Sequence, residues 1–126
     1  NTGPYLQYMG ARICSILKKA QEAGVEKDCS TEATSLLTTE AEWELIKLLG
    51  EFPNVIEKAA KNLDPSGLAI YLYDVSKSFS RFYHDCPIIN SGNEKLSGAR
   101  LALAESVKTV LQNGLNLILV PFLEQM

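Results

Sequence analysis

Residues 66–87, SGLAIYLYDVSKSFSRFYHDCP, decide the fold. Leu68, Leu72, Val75, Phe79, Phe82 and Cys86 recur through this stretch four and three residues apart. That spacing puts all six on one side of an α-helix, because a helix turns once in about 3.6 residues. A stripe this apolar requires matching faces from other helices to bury it. The punctuation agrees. Asp64 is a capping type, Pro65 is tolerated in a first helical turn where its missing N–H costs nothing, and Pro87 cannot continue the helix.

The same pattern extends outward. Downstream, residues 89–94 read as a loop. Asn93 is a candidate cap for a last long helix with Leu96, Ala99, Leu103, Val107 and Val110 on its buried face, and Gly114 as the residue just past its end. Residues 115–120, LNLILV, fit either a strand or a buried helical turn. Upstream, Pro53 opens a short helix over residues 53–63. Thr39 and Glu42 stand in the spacing of a capping box, ahead of Trp43, Leu45, Ile46, Leu48 and Leu49. Residues 25–37 are polar and read as a loop. The first helix has Thr2 as its expected cap, Pro4 near its first turn, Leu6, Ile13, Leu17 and Ala20 on one face, and Gly24 as its stop. The expected fold is all-α: an antiparallel bundle of four to five helices forming one domain over residues 1–126.

Bulk properties narrow the function. The chain has 126 residues, of which 46% are hydrophobic and 21% charged, enough for one ordinary core. Its net charge is −3 and its pI about 5.2, unlike a typical basic nucleic-acid domain. Any nucleic-acid role must therefore rest on a local patch. Cys14, Cys29 and Cys86 suit neither a disulfide framework nor a zinc motif, and free thiols point to a reducing, cytoplasmic setting. The longest apolar run, Leu115 to Phe122, is too short to span a bilayer, so no membrane partner is expected. The chain starts at Asn1 rather than Met, and a piece cut at its front that keeps its parent's C-terminus is expected.

Catalysis finds no support in the residues. His84 stands alone beside Asp85, without a nucleophile or a phosphate-cradling glycine loop, and suits a surface histidine at the negative end of a helix. Glu40, Glu42 and Glu44 fit a solvated helix face. No catalytic residue and no metal site is expected. Binding has more to offer. Tyr5 and Arg12, seven residues apart, point the same way, and Tyr8, Arg12 and Lys19 share an adjacent stripe. Lys77, Arg81 and His84 form a basic stripe on the long helix, with Tyr83 beside its apolar seam. Aromatics next to cations are what splayed RNA bases and their phosphates require. The same spacing also fits a core edge beside a solvated face.

A family resemblance separates these alternatives. Thr2-Gly3-Pro4-Tyr5-Leu6-Gln7-Tyr8 with Ala11-Arg12 resembles the opening of the C-terminal anticodon-binding domain of arginyl-tRNA synthetases. Leu68-Ala69, Tyr71-Leu72, Phe79, Phe82-Tyr83, Cys86-Pro87 and residues 99–103 resemble the core of that domain, and Val120-Pro121 with terminal Met126 resembles its close. Two departures stand out. Met9-Gly10 replaces a common Ala-His pair, and Asp64-Pro65-Ser66-Gly67 stands where the family often has a variant of Asp-Ala-Leu-Arg.

The resemblance implies a helical bundle that grips the anticodon stem-loop of an arginine tRNA. ATP with magnesium, and arginine, would then be handled by a separate catalytic domain of the parent chain, and this stretch itself would hold no cofactor. It implies that Tyr5 and Arg12 face anticodon-loop nucleotides, that Tyr83 packs on a loop base, and that Met126 lies near the anticodon. Gln7, Tyr8 and Arg81 are further candidates, and DNA is not an expected partner. The class I signatures His-Ile-Gly-His and Lys-Met-Ser-Lys-Ser are absent. The alternatives are a helical protein-interaction module and the anticodon domain of another class I synthetase.

Overall fold

The computed structural model describes residues 2–118. Within them lie six helices: α1 (Thr2–Glu22), α2 (Thr31–Thr34), α3 (Glu40–Gly50), α4 (Phe52–Asn62), α5 (Ser66–Asp85) and α6 (Glu94–Leu117). Five are long and α2 is a single turn, so the all-α bundle is as expected.

The stripe on α5 is the centre of the core. Leu68, Leu72, Val75, Phe79, Phe82 and Cys86 are all buried, and so are Ile13, Leu103 and Val107 from the helices packed around them. Direction follows from contacts at the helix ends. On α5 and α6, a Cβ on Gly114 would meet Leu72 at one end, while Arg100 donates to the Pro87 carbonyl at the other. These helices are antiparallel. So are α3 and α5, joined by Thr39 with Cys86, Glu44 with Arg81, and the Tyr71 hydroxyl donating to the Leu48 carbonyl at 2.6 Å. The end of α1 meets the start of α6, where Asp28 N–H donates to Gly98 O. Both α1 and α5 thus run against α6, and so they run parallel to each other. The start of α1 therefore lies beside the first half of α5: Tyr5 meets Tyr73, and Arg12 meets Ser80 further along.

The local signals are mostly realised. Thr39 and Glu42 form both halves of the capping box. Asn93 Oδ1 accepts from Lys95 and Leu96. Asp64 Oδ1 caps Ser66, so Pro65 is the residue just before α5. Gly24, at φ +89°, ends α1: its N–H donates to the Gln21 carbonyl, and the N–H of Val25 donates to the Ala20 carbonyl. Thr2, the expected cap, already belongs to α1 as its first residue.

Three expectations change. Gly114 is not the stop of α6. The helix continues to Leu117, and Gly114 is buried where a Cβ would come within 2.7 Å of Leu72. Its lack of a side chain serves close packing. Accordingly, Leu115 to Leu117 are helical, and the rest of the ambiguous run lies outside the described residues. The loop of residues 25–37 contains α2 and is tied down. Ala33 and Leu37 are buried, Lys27 pairs with Glu105, and residues 26–28 press on Gly98 so closely that a Cβ there would lie 2.5 Å from Glu26 O and 2.8 Å from Asp28 Cβ. On α3, Leu45 is buried while Trp43 is 53% exposed. Finally, Glu42 does not lie on a solvated face. It is 0% exposed and accepts from buried Arg100 at 2.7 Å, while its other oxygen serves Thr39. The capping role turns this carboxylate inward, and Arg100 compensates it there.

Candidate nucleic-acid interface

The parallel contact of α1 and α5 builds a half-open seam. Tyr5 and Tyr73 rings lie 5.3 Å apart in a tilted arrangement. Two turns further along, the Arg12 guanidinium sits 5.7 Å from the centre of the Tyr83 ring, within cation–π range, and Nη1 reaches Ser80 Oγ at 3.4 Å. Tyr83 is backed by buried Phe79, stacked 6.1 Å away with nearly parallel rings. A ring held from behind keeps its orientation, which suits a stacking platform. Beyond Tyr83 opens an apolar cleft lined by Ile16, Ala20, Pro87, Ile88 and Ile89. Lys77 completes the seam, its ammonium 5.5 Å from the centre of the Tyr73 ring.

The seam therefore brings Tyr5, Arg12 and Tyr83 onto one side of the bundle. Tyr8 is 50% exposed on α1, three residues from Tyr5. Gln7 is half-buried, about 200° around the helix from Tyr5 by helical spacing. Arg81 is held elsewhere. It bonds Glu44 at 2.8 Å and Glu40 at 3.3 Å across to α3, with Asp85 at 3.7 Å, and chiefly the Glu40 hydrogen bond raises its affinity for its proton. Met126 lies outside the described residues. Tyr73 was not among the expected contacts. Its signal was available, since it precedes Lys77 by four residues and lies off the apolar stripe. His84 is exposed with Nδ1 2.9 Å from Asp85. No helix among the described residues is long and apolar enough to cross a membrane.

The arrangement has a chemical meaning. Rings attract bases, and cations without carboxylates attract phosphate. Among the described residues, neither Arg12 nor Lys77 has a carboxylate within 4.0 Å, whereas Arg81 and Arg100 do. The seam offers positive charge next to aromatic faces on a chain that is acidic overall.

Comparison with known proteins places the chain in a family. The arginine–tRNA ligase of Treponema denticola is 57% identical over 129 aligned positions, covering 100% of this chain and 22% of that protein. The arginine–tRNA ligase of Treponema pallidum is 54% identical with the same coverage. Among solved structures, the Thermus thermophilus arginyl-tRNA synthetase superposes on 98% of this chain and 21% of its own with a TM-score of 0.83 at 32% identity. The chain thus spans about a fifth of the length of these relatives. The family model described as the DALR anticodon binding domain matches residues 6–126, and the chain belongs to that family.

Proposed function

We propose that this chain is the anticodon-binding domain of an arginine–tRNA ligase, gripping the anticodon stem-loop of an arginine tRNA along the α1–α5 seam. One observation carries the reading. A chain alike along its whole length to arginine–tRNA ligases holds Arg12 over Tyr83, on a half-open seam, with no carboxylate within 4.0 Å among the described residues. Tyr83 supplies a stacking face and Arg12 a contact to phosphate or a base edge, with Tyr5 and Tyr8 two turns and one turn back along α1 and Gln7 and Met126 as further members. Arg81 would have to leave Glu44 and Glu40 before reaching RNA, which ranks it behind the others.

The activity of the parent is part of the same proposal. A separate catalytic domain binds ATP with magnesium and arginine and charges the tRNA, in the cytoplasm. This chain contributes binding only. The test is titration with anticodon stem-loops of arginine and non-arginine tRNAs. Tighter binding of the arginine hairpins, lost on replacing Arg12 and Tyr83, is the expected result. Equal and weak binding of all hairpins would overturn it.

A further inference from the structure

The seam contains a second ring-and-cation unit that the anticodon reading does not use. Tyr73 is 38% exposed and tilts against Tyr5, while Lys77 lies over its ring. Other lysines on this surface also lack carboxylates, but among the described residues Lys77 is the one held over a ring. Asp74, its neighbour on α5, does not come within 4.0 Å of the ammonium. The unit is placed, not merely near. Because α1 and α5 run parallel, Tyr5 with Tyr73 and Arg12 with Ser80 are equivalent steps along one groove. Ten residues separate Tyr73 from Tyr83, or about 15 Å of helix at about 1.5 Å per residue.

We infer that Tyr73 and Lys77 hold the RNA backbone where the anticodon loop joins its stem, one loop-half away from the base on Tyr83. This rests on the function proposed above. Stacked nucleotides rise about 3.4 Å each along one strand, so about 15 Å corresponds to about four of them. A base on Tyr83 within a short loop puts the fourth neighbour at the stem. A lysine there meets a phosphate as a point charge, and the Tyr73 ring covers the adjoining sugar. Such a contact positions the RNA and carries no sequence information. It thereby gives an acidic domain a grip that is independent of the anticodon.

The experiment compares Lys77→Gln, Lys77→Arg, Tyr83→Leu and, as a control at an exposed lysine paired with Glu105, Lys27→Gln in the complete parent protein. Each is titrated across a salt series with an anticodon hairpin and with the stemless seven-nucleotide loop. Lys77→Gln should lower the salt slope for the hairpin by about 0.7–0.9, the value for one phosphate. It should do so equally for arginine and non-arginine hairpins and leave the stemless loop unaffected. Lys77→Arg should keep the slope, and Lys27→Gln should leave it unchanged. Tyr83→Leu should weaken hairpin and stemless loop alike. An unchanged slope for Lys77→Gln beside a weakened Tyr83→Leu would overturn this inference alone, as would an equal drop for Lys27→Gln. Failure of the wild-type protein to prefer an arginine hairpin would overturn the anticodon reading with it.

Discussion

The two flanks of α5 treat their charges differently. Toward α3, Arg81 faces Glu40, Glu44 and Asp85, and a little deeper Arg100 and Glu42 close a buried pair. Toward α1, Arg12 and Lys77 lie over tyrosine rings. The first flank compensates its cations within the fold. The second leaves them for something else. The contrast explains how an acidic chain offers a local cationic surface. Net charge counts every residue, but an anion meets only those that no carboxylate has already taken.

The largest test of this contrast is Arg100→Met. It strands Glu42, which is buried, and loss of one partner of such a pair costs about 3–5 kcal/mol. Chemical denaturation should show it, and adding Glu42→Met should recover much of the loss, because an apolar pair removes the buried charge. A small effect of Arg100→Met alone would mean that the pair is wetter than its geometry. On the other flank, Tyr83→Leu keeps apolar contact with Phe79 while removing the stacking face. Hairpin affinity should fall by about 1–3 kcal/mol, with a much smaller change in denaturation midpoint. A fall in stability without a fall in affinity would move Tyr83 from the RNA surface to the core edge.

Arg81→Gln should matter less than either in the same denaturation series. Its partners are exposed, and surface ion pairs are screened by solvent and contribute little. The gentlest effect is alkaline. Burial, with Glu51 nearby, pushes the Tyr71 phenol up to about 12 from its usual 10.0. The folded state then holds a proton that the unfolded chain releases, so the contribution is complete below pH 10.0 and fades as pH rises toward about 12. Tyr71→Phe should flatten that alkaline decline in a series of denaturation curves.

These flanks were not equally legible in the sequence. Period alone located the inner face of α5, the seven-residue pairing of Tyr5 with Arg12, and the caps at Thr39 and Asn93, because each depends on near neighbours. What failed depends on partners far along the chain. Glu42 was assigned to solvent because its cation is 58 residues away. Gly114 was read as a stop because nothing local announces that Leu72 crowds it. The loop of residues 25–37 looked unattached because its anchor, Gly98, belongs to the last helix. Tyr73 was passed over because the parallel course of α1 and α5 emerges only when both are laid against α6.

That last dependence also concerns time. The face of α1 carrying Leu6, Ile13 and Leu17 is among the first parts of this chain to leave a ribosome, yet much of its cover comes from α6, which is made last. At about 5–20 residues per second, the helix waits several seconds with an apolar side uncovered. Closure of the bundle, and with it the alignment of Tyr5 beside Tyr73, is thus a late event in synthesis.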